Sequence, residues 1–312
     1  MKLIIQIPCY NEEKTLEKTI SDLPKKIPGI DTIETLIIND GSTDNTVAVA
    51  KKCGVNHIVD FKHNMGLARG FAAGLEKCLE LGADIIVNTD ADNQYKGSDI
   101  PRLVQPILEH KAEIVIGDRQ IDKIEEFSWL KKKLQKLGSR VVRKVSQTKV
   151  PDTTSGFRAY SRQAAMHMNI ISTFSYTLET IIEAGQKDIP IISIPIETNK
   201  TERPSRLFKS NWYYIKRSTA TIIRIYTMYQ PLRVFFYSGL FSLILSLILS
   251  VRYIVFMIMG EGKGHVQSVI IAGILFLLAF VLFMFGLLAD VVAGNRKLQE
   301  ETLYRIKKET LK

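Results

Sequence analysis

The sequence predicts an α/β protein: a parallel sheet covered on both faces, followed by a helical hairpin that crosses a membrane. Three observations carry this. Short β-rich runs alternate with segments of helical spacing through the first half of the 312-residue chain, an alternation that builds parallel sheets. Near residue 231 the composition shifts to two almost uninterrupted apolar runs, 234–251 (extending past Arg252 to 259) and 270–289. Polar loops rich in Asp, Asn and Glu fall where the predicted strands end.

The strands are expected at 2–7, 35–38, 57–60, 84–88 and 113–117. Between them, 12–22, 44–53, 67–81 and 99–110 have helical spacing, with Asp44 and Ser98 as N-cap residues. In an open parallel sheet, ligands gather at the carboxyl ends of the strands. "PCYNEE", "NDGSTDNT", "HNMGLARG" and "NTDADNQ" all fall at such ends, and together they predict a site. No G-x-G-x-x-G follows the first strand and no G-x-x-x-x-G-K-[ST] occurs, so neither common phosphate loop is present.

The loop at 88–94 is the most informative. Alternate side chains of an extended segment point the same way, which aims Asp90, Asp92 and Gln94 at one small volume. Hard divalent cations take such oxygen ligands and complete their shell with water or phosphate oxygens. A polar loop without a ligand is the plainer alternative.

After residue 117 the pattern loosens. Residues 127–147 form a basic amphipathic stretch with Phe127, Leu130, Leu134, Leu137, Val141 and Val145 near helical spacing. Two readings stay open: a helix packed on the sheet with a solvated basic face, or one lying at a membrane surface. For 207–229 the interface reading is favoured, because Trp212, Tyr213 and Tyr214 sit among cations just before an apolar run. Each apolar run is long enough to cross roughly 30 Å of hydrocarbon as a helix, and neither has a polar face.

The net charge is +10, but the cations crowd into 131–149 and 200–233. That clustering favours anionic headgroups or a phosphate-bearing substrate over nucleic acid. Cys9, Cys53 and Cys78 lack metal-ligand spacing and read as reduced thiols. The N-terminus has too short an apolar core for a signal peptide. Lys216, Arg217, Arg224 and Arg233 precede the first run, and Arg296, Lys297, Arg305, Lys307 and Lys308 follow the second. The intervening loop offers only Lys263, so both chain ends are expected in the cytoplasm.

Taken in order, "IPCYNEEKTL", "INDGSTDNT", "HNMGLARG", "DADNQ", "SGFRAYSR" and "ERPSRLFKS", followed by a membrane hairpin, resemble the family 2 glycosyltransferases. More narrowly the chain resembles their polyprenyl-phosphate sugar transferases. The resemblance implies a GT-A (Rossmann-like) domain over 1–206, juxtamembrane amphipathic helices over 207–231, two membrane helices over 232–294 and a basic tail over 295–312. It implies a nucleotide-sugar donor, a UDP-sugar first, with Mg²⁺ or Mn²⁺ as cofactor and undecaprenyl or dolichyl phosphate as acceptor. No nucleic acid is expected, and a homo-oligomer is left open.

Residue by residue, Pro8, Tyr10, Asn11 and Glu12 are similar to the loop that walls the nucleotide, with Asp40, Asn64, Gly66, Asp90 and Ala91 completing it. Asp90, Asp92 and Gln94 match the metal triad. Asp92, Arg119 and Arg203 carry the catalytic expectation. The acceptor phosphate is expected at Arg119, Ser155, Arg158, Ser205 and Arg206, with Lys136, Ser139 and Arg140 nearby. "RPSR" is a shortened form of the family's R-x-x-G-x-S-K, so either Arg203 or Arg206 can face the diphosphate. The alternatives are transfer to a hydroxyl of a glycolipid or polysaccharide, and a membrane-tethered nucleotide-sugar sensor without turnover. The first would need a carboxylate base, for which Asp152 is the best-placed residue.

Overall fold

A computed structural model describes residues 1–121, 129–171, 176–199 and 211–311. Seven strands form one sheet: β1 Lys2–Cys9, β2 Thr32–Asn39, β3 His57–Asp60, β4 Ile85–Asn88, β5 Ile114–Asp118, β6 Arg158–Ser161 and β7 Ile191–Pro195. Their order is β3-β2-β1-β4-β6-β5-β7. The first five match the expected strands; β6 and β7 were not foreseen. The sheet is also not wholly parallel, since β6 runs antiparallel to both neighbours, β4 and β5.

That inserted strand has a consequence for the site. Arg158, the first residue of β6, pairs with Asn88 at the carboxyl end of β4 and with Ile116 of β5. The chain entering β6, residues 152–157, is therefore delivered to the sheet edge where β4 and β5 end. An antiparallel strand puts its own amino end among its neighbours' carboxyl ends.

Ten helices accompany the strands among the described residues. They are α1 Leu16–Ser21, α2 Thr46–Lys52, α3 Leu67–Glu80, α4 Ile100–Leu108, α5 Trp129–Ser146, α6 Arg162–His167, α7 Tyr176–Gln186, α8 Asn211–Tyr229, α9 Pro231–Ile258 and α10 Val266–Thr310. Helix α1 starts later than the spacing suggests because the preceding amides are claimed elsewhere. Asn11 N–H donates to Ser42 Oγ (2.9 Å), Glu12 N–H to Thr46 Oγ1 (2.8 Å) and Glu13 N–H to Asp44 Oδ2 (3.2 Å). The caps shift by one residue, to Asn45 for α2 and Asp99 for α4. Asp44 still accepts the Thr46 amide (3.0 Å), and Ser98 falls inside a 3₁₀ turn, Gly97–Asp99.

Leu3, Ile5, Ile7, Ile37, Ile85, Val87 and Val115 form one buried cluster with α4 residues Ile100, Leu103 and Val104. On α3, Gly74 lets the helix close on the sheet: a Cβ there would stand 2.4 Å from Gln6 Oε1 and 2.8 Å from Ile38 Cδ1.

The chain divides into two compact units, Met1–Ile222 with Leu303–Lys312, and Ile223–Thr302. In the first, the end of α10 packs on the sheet domain. The Tyr304 ring stacks on His167 at 3.9 Å, and Arg162 donates to the Leu311 carbonyl. In the second, α9 and α10 pair through small residues. Ser242 Oγ donates to Leu275 O (2.8 Å) and Ser246 Oγ to Ala272 O (2.7 Å), with Gly239, Ala279, Gly286 and Ala293 also at the seam or buried near it. Phe241, Ile248, Leu277 and Leu288 stay exposed around this pair. At 28 residues α9 is about 42 Å long, enough to cross a bilayer core. Both helices are long and apolar enough to be membrane spans.

Candidate active site

The carboxyl ends of β1, β2 and β4 carry the loops singled out in the sequence, and hydrogen bonds stitch them together. Asn11 adopts a left-handed conformation (φ 56°), and its Oδ1 accepts the Thr43 amide (2.8 Å). Asp40 is buried and accepts the amides of Met65 (2.6 Å) and Gly66 (2.9 Å). It therefore ties the third loop to the second. Tyr10 and Asn64 are exposed on this edge, and Pro8 is half-buried in β1 one residue before its end. Glu12 Oε2 accepts from Thr15 Oγ1 (2.9 Å).

Behind the acidic loop lies a built polar floor. Gln6 Nε2 donates to Asn88 Oδ1 (3.0 Å), and Asn88 Nδ2 donates to Gly156 O (2.8 Å) and Tyr176 Oη (2.9 Å). Tyr176 stacks on Phe71 at 3.8 Å. Gly156 N–H donates to Tyr95 Oη (3.1 Å), whose ring stacks on Phe157 at 5.0 Å. Gly156 has to be glycine because a Cβ would meet Tyr176 Oη at 2.9 Å and Asp90 Oδ1 at 3.1 Å. Burial pushes the phenols of Tyr95, to about 12, and Tyr176 upward, so they act as neutral hydrogen-bonding groups.

Asp90 stands on this floor. Burial, and then the neighbouring Asp92 carboxylate, raise its pKa to about 7. Asp92 Oδ1 accepts the Gln94 amide (3.1 Å) across a turn in which Asn93 has φ 56°. Asn199 clasps the same turn, its amide donating to Gln94 O (2.8 Å) and its Nδ2 to Asn93 O (3.0 Å). Ala91 is buried, and its carbonyl accepts from Thr19 Oγ1 (3.0 Å). Two neighbouring carboxylates at a strand end are a donor set suited to a hard cation. Among the described residues no three His, Cys, Asp or Glu side chains gather as a complete cage.

Arg119, just past β5, is almost wholly buried against Asp152. Its Nε donates to Asp152 Oδ2 (2.7 Å), and its Nη2 to Asp152 Oδ1 (3.0 Å) and Thr154 Oγ1 (2.7 Å). Asp152 also accepts the Thr154 amide (3.2 Å) and hydroxyl (3.0 Å). Burial alone would raise the Asp152 pKa, but Arg119 and Thr154 hold it below the usual carboxylate range. On the arginine the carboxylate outweighs burial and raises the guanidinium's pKa.

The described members of the expected acceptor-phosphate set differ in their surroundings. Arg158 is fully buried and donates to Ser155 O (2.8 Å), Thr180 Oγ1 (2.6 Å) and Thr153 O (3.1 Å), so it shapes the 152–157 loop from inside. Ser155 is buried and accepts the Phe157 amide (3.3 Å), and Ser139 is buried against Thr153 Oγ1 (3.1 Å). Lys136 and Arg140 are exposed on α5, whereas Ser139 is buried. Arg203, Ser205 and Arg206 lie outside the described residues. Gly156 lies in the "SGFRAYSR" motif that the sequence already singled out, but Asn88, Tyr95, Tyr176 and Asn199 were not expected at the site. Asn88 and Tyr95 sit in or beside the "NTDADNQ" loop; Tyr176 and Asn199 reach the site from far along the chain and leave no local signal.

Comparison with known proteins agrees with this geometry. Residues 4–168 match the family model described as glycosyl transferase family 2. UDP-N-acetylglucosamine–dolichyl-phosphate N-acetylglucosaminyltransferase of Methanococcus voltae is 33% identical over 221 residues, 63% of this chain and 85% of the relative. Bactoprenol glucosyl transferase of Shigella phage SfX is 25% identical across 94% of both chains. Glucosyl-3-phosphoglycerate synthase of Mycobacterium tuberculosis, solved with Mn²⁺, UDP and glucosyl-3-phosphoglycerate, superposes with a TM-score of 0.55 at 18% identity. It covers 73% of this chain and 79% of its own, and it shares the GT-A fold. The chain belongs to glycosyl transferase family 2.

Proposed function

We propose that this enzyme transfers a sugar from a UDP-sugar to the phosphate of a membrane polyprenol, with inversion at the anomeric carbon. The observation that carries the reading is the Asp90–Asp92 pair at the end of β4, flanked by the stitched loops of β1 and β2. Those loops, through Pro8, Tyr10, Asn11, Glu12, Asp40, Asn64 and Gly66, would hold the nucleoside. Asp90, Asp92 and Gln94 would hold Mg²⁺ or Mn²⁺, with Ala91 at their centre. When bound, such a cation neutralises the donor diphosphate and eases its departure.

A phosphate acceptor suits the rest of the site. The attacking oxygen's electron pair forms the new C–O bond while the broken bond's pair leaves with the nucleoside diphosphate. A phosphate monoester has a second pKa near ~6 and is largely dianionic at neutral pH, so no proton must be removed. Asp152, the carboxylate best placed to serve as a base for a hydroxyl, has its oxygens engaged by Arg119 and Thr154. Arg119, with Arg203 and Arg206, would stabilise anionic oxygens whose charge shifts as the donor bond breaks. Both chain ends would lie on the cytoplasmic side, where cations flank α9 and α10.

The test is transfer by purified full-length enzyme from a panel of nucleotide sugars to undecaprenyl and dolichyl phosphate. The expected product is a lipid phosphate sugar cleaved by mild acid, formed only when Mg²⁺ or Mn²⁺ is restored after EDTA. A product stable to mild acid but cut by a glycosidase would sink the phosphate-acceptor reading. Full turnover in chelator would sink the metal assignment.

A further inference from the structure

Helix α5 has two faces of different chemistry. Inward, Val142 and Ser146 are fully buried, Ser139 bonds to Thr153, and the Val145 carbonyl accepts from Gln186 Nε2 (3.0 Å) on α7. Outward, Lys133, Lys136, Leu137, Arg140, Val141 and Lys144 form one exposed stripe at i, i+3/i+4, i+7/i+8 and i+11 spacing. Leu137 is 56% exposed and Val141 42%, at the centre of that stripe with cations on either side. The helix contains no Asp or Glu.

A helix face meant only for water has no need of a leucine and a valine one turn apart. A protein-binding face would ordinarily offer more apolar area and fewer lysines. An apolar strip flanked by cations, on a helix that itself carries no Asp or Glu, suits the boundary between headgroups and acyl chains. Each Lys or Arg near an anionic leaflet is attracted to it, while the two apolar side chains leave water. The chain's own candidate spans, α9 and α10, would keep a bilayer within reach, so the contact need not be strong by itself.

We infer that the outward face of α5 is a docking surface for an anionic lipid bilayer, with Leu137 and Val141 entering the interface and Lys133, Lys136, Arg140 and Lys144 meeting phosphate headgroups. The inference rests on the membrane reading of α9 and α10 and is independent of which sugar or acceptor the enzyme uses.

The test places a fluorophore on Cys at position 137 in a Cys53→Ser background, in the full chain reconstituted in lipid nanodiscs. Cys9 and Cys78 are buried and stay in place. Quenching by nitroxide-labelled lipid is compared between zwitterionic and anionic discs, with a label at position 52 on α2 as reference. The expected result is quenching at 137 at least about twofold stronger in anionic discs, returning to the zwitterionic level in Lys136→Glu/Arg140→Glu. Circular dichroism confirms that the double variant is folded. Quenching at 137 no greater than at 52, or indifferent to headgroup charge, would overturn the proposal. Sugar transfer is not read, so its failure leaves this outcome intact.

Discussion

At the scale of single residues, Asp152 shows how an apparent base becomes a strut. A general base needs a free lone pair directed at the proton it removes. Both oxygens here face Arg119 and Thr154, and the side chain is fully buried. Its folded pKa lies below the ordinary carboxylate value. The stability it contributes is thus complete above about pH 4 and is lost as pH falls through the folded value. Asp152→Asn leaves a nearly buried guanidinium without its counter-ion and should cost about 3–5 kcal/mol at neutral pH. The gap to the parent should narrow progressively as pH falls below about 4. Denaturant unfolding of the nanodisc-held protein at pH 7 and pH 3 checks this, and an unchanged gap at both would show that the pair is not the source.

At the scale of elements, β6 decides what the site contains. The segment 152–157 reaches the end of β4 because β6 is inserted antiparallel, and Gly156 then lies against Asp90. Gly156→Ala would press a methyl against the Asp90 carboxylate and the buried Tyr176 hydroxyl. We expect Mn²⁺ affinity to fall about tenfold, in the range seen when groups supporting a ligand are altered, alongside a stability loss of about 1–3 kcal/mol from overpacking. Calorimetric titration with Mn²⁺ reads it directly, and unaltered affinity would mean that Gly156 does not support the ligand. This arrangement was only half legible beforehand. The strands β1 to β5 announced themselves by apolar runs ending in polar loops, and Asp90 and Asp92 by their spacing. Strand β6 reads Arg-Ala-Tyr-Ser, with no apolar run, because its buried arginine is satisfied by Ser155, Thr180 and Thr153. Strand β7, Ile191–Pro195, did carry an apolar signal, though it is only half-buried at the sheet's edge. The facing of α5 was open from periodicity alone, since its basic and apolar residues overlap on one side.

At the scale of the whole molecule, the last residues of the chain belong with the sheet domain that the first residues begin. Leu303–Lys312 group with Met1–Ile222, and the contacts are specific: Tyr304 on His167, and Arg162 to the Leu311 carbonyl. Arg162 also donates to Ala83 O (3.0 Å), close to the start of β4. Burial lowers the pKa of Lys307, while Glu76 and Glu183 counter that effect, which places its ammonium among acids of the same domain. A chain cut near Pro231 would therefore lose more than its two candidate spans. The stacked pair alone should contribute about 1 kcal/mol beyond its area. Tyr304→Ala adds the loss of buried ring surface and should destabilise the sheet domain by about 2 kcal/mol with both candidate spans in place. Proteolytic susceptibility of the sheet domain in nanodiscs, with and without UDP, measures that loss. His167→Ala made in the Tyr304→Ala background should then cost little more, because the two rings act through one contact. Equal and additive losses at the two positions would show that each acts separately, and that the end of α10 is not held through this stack.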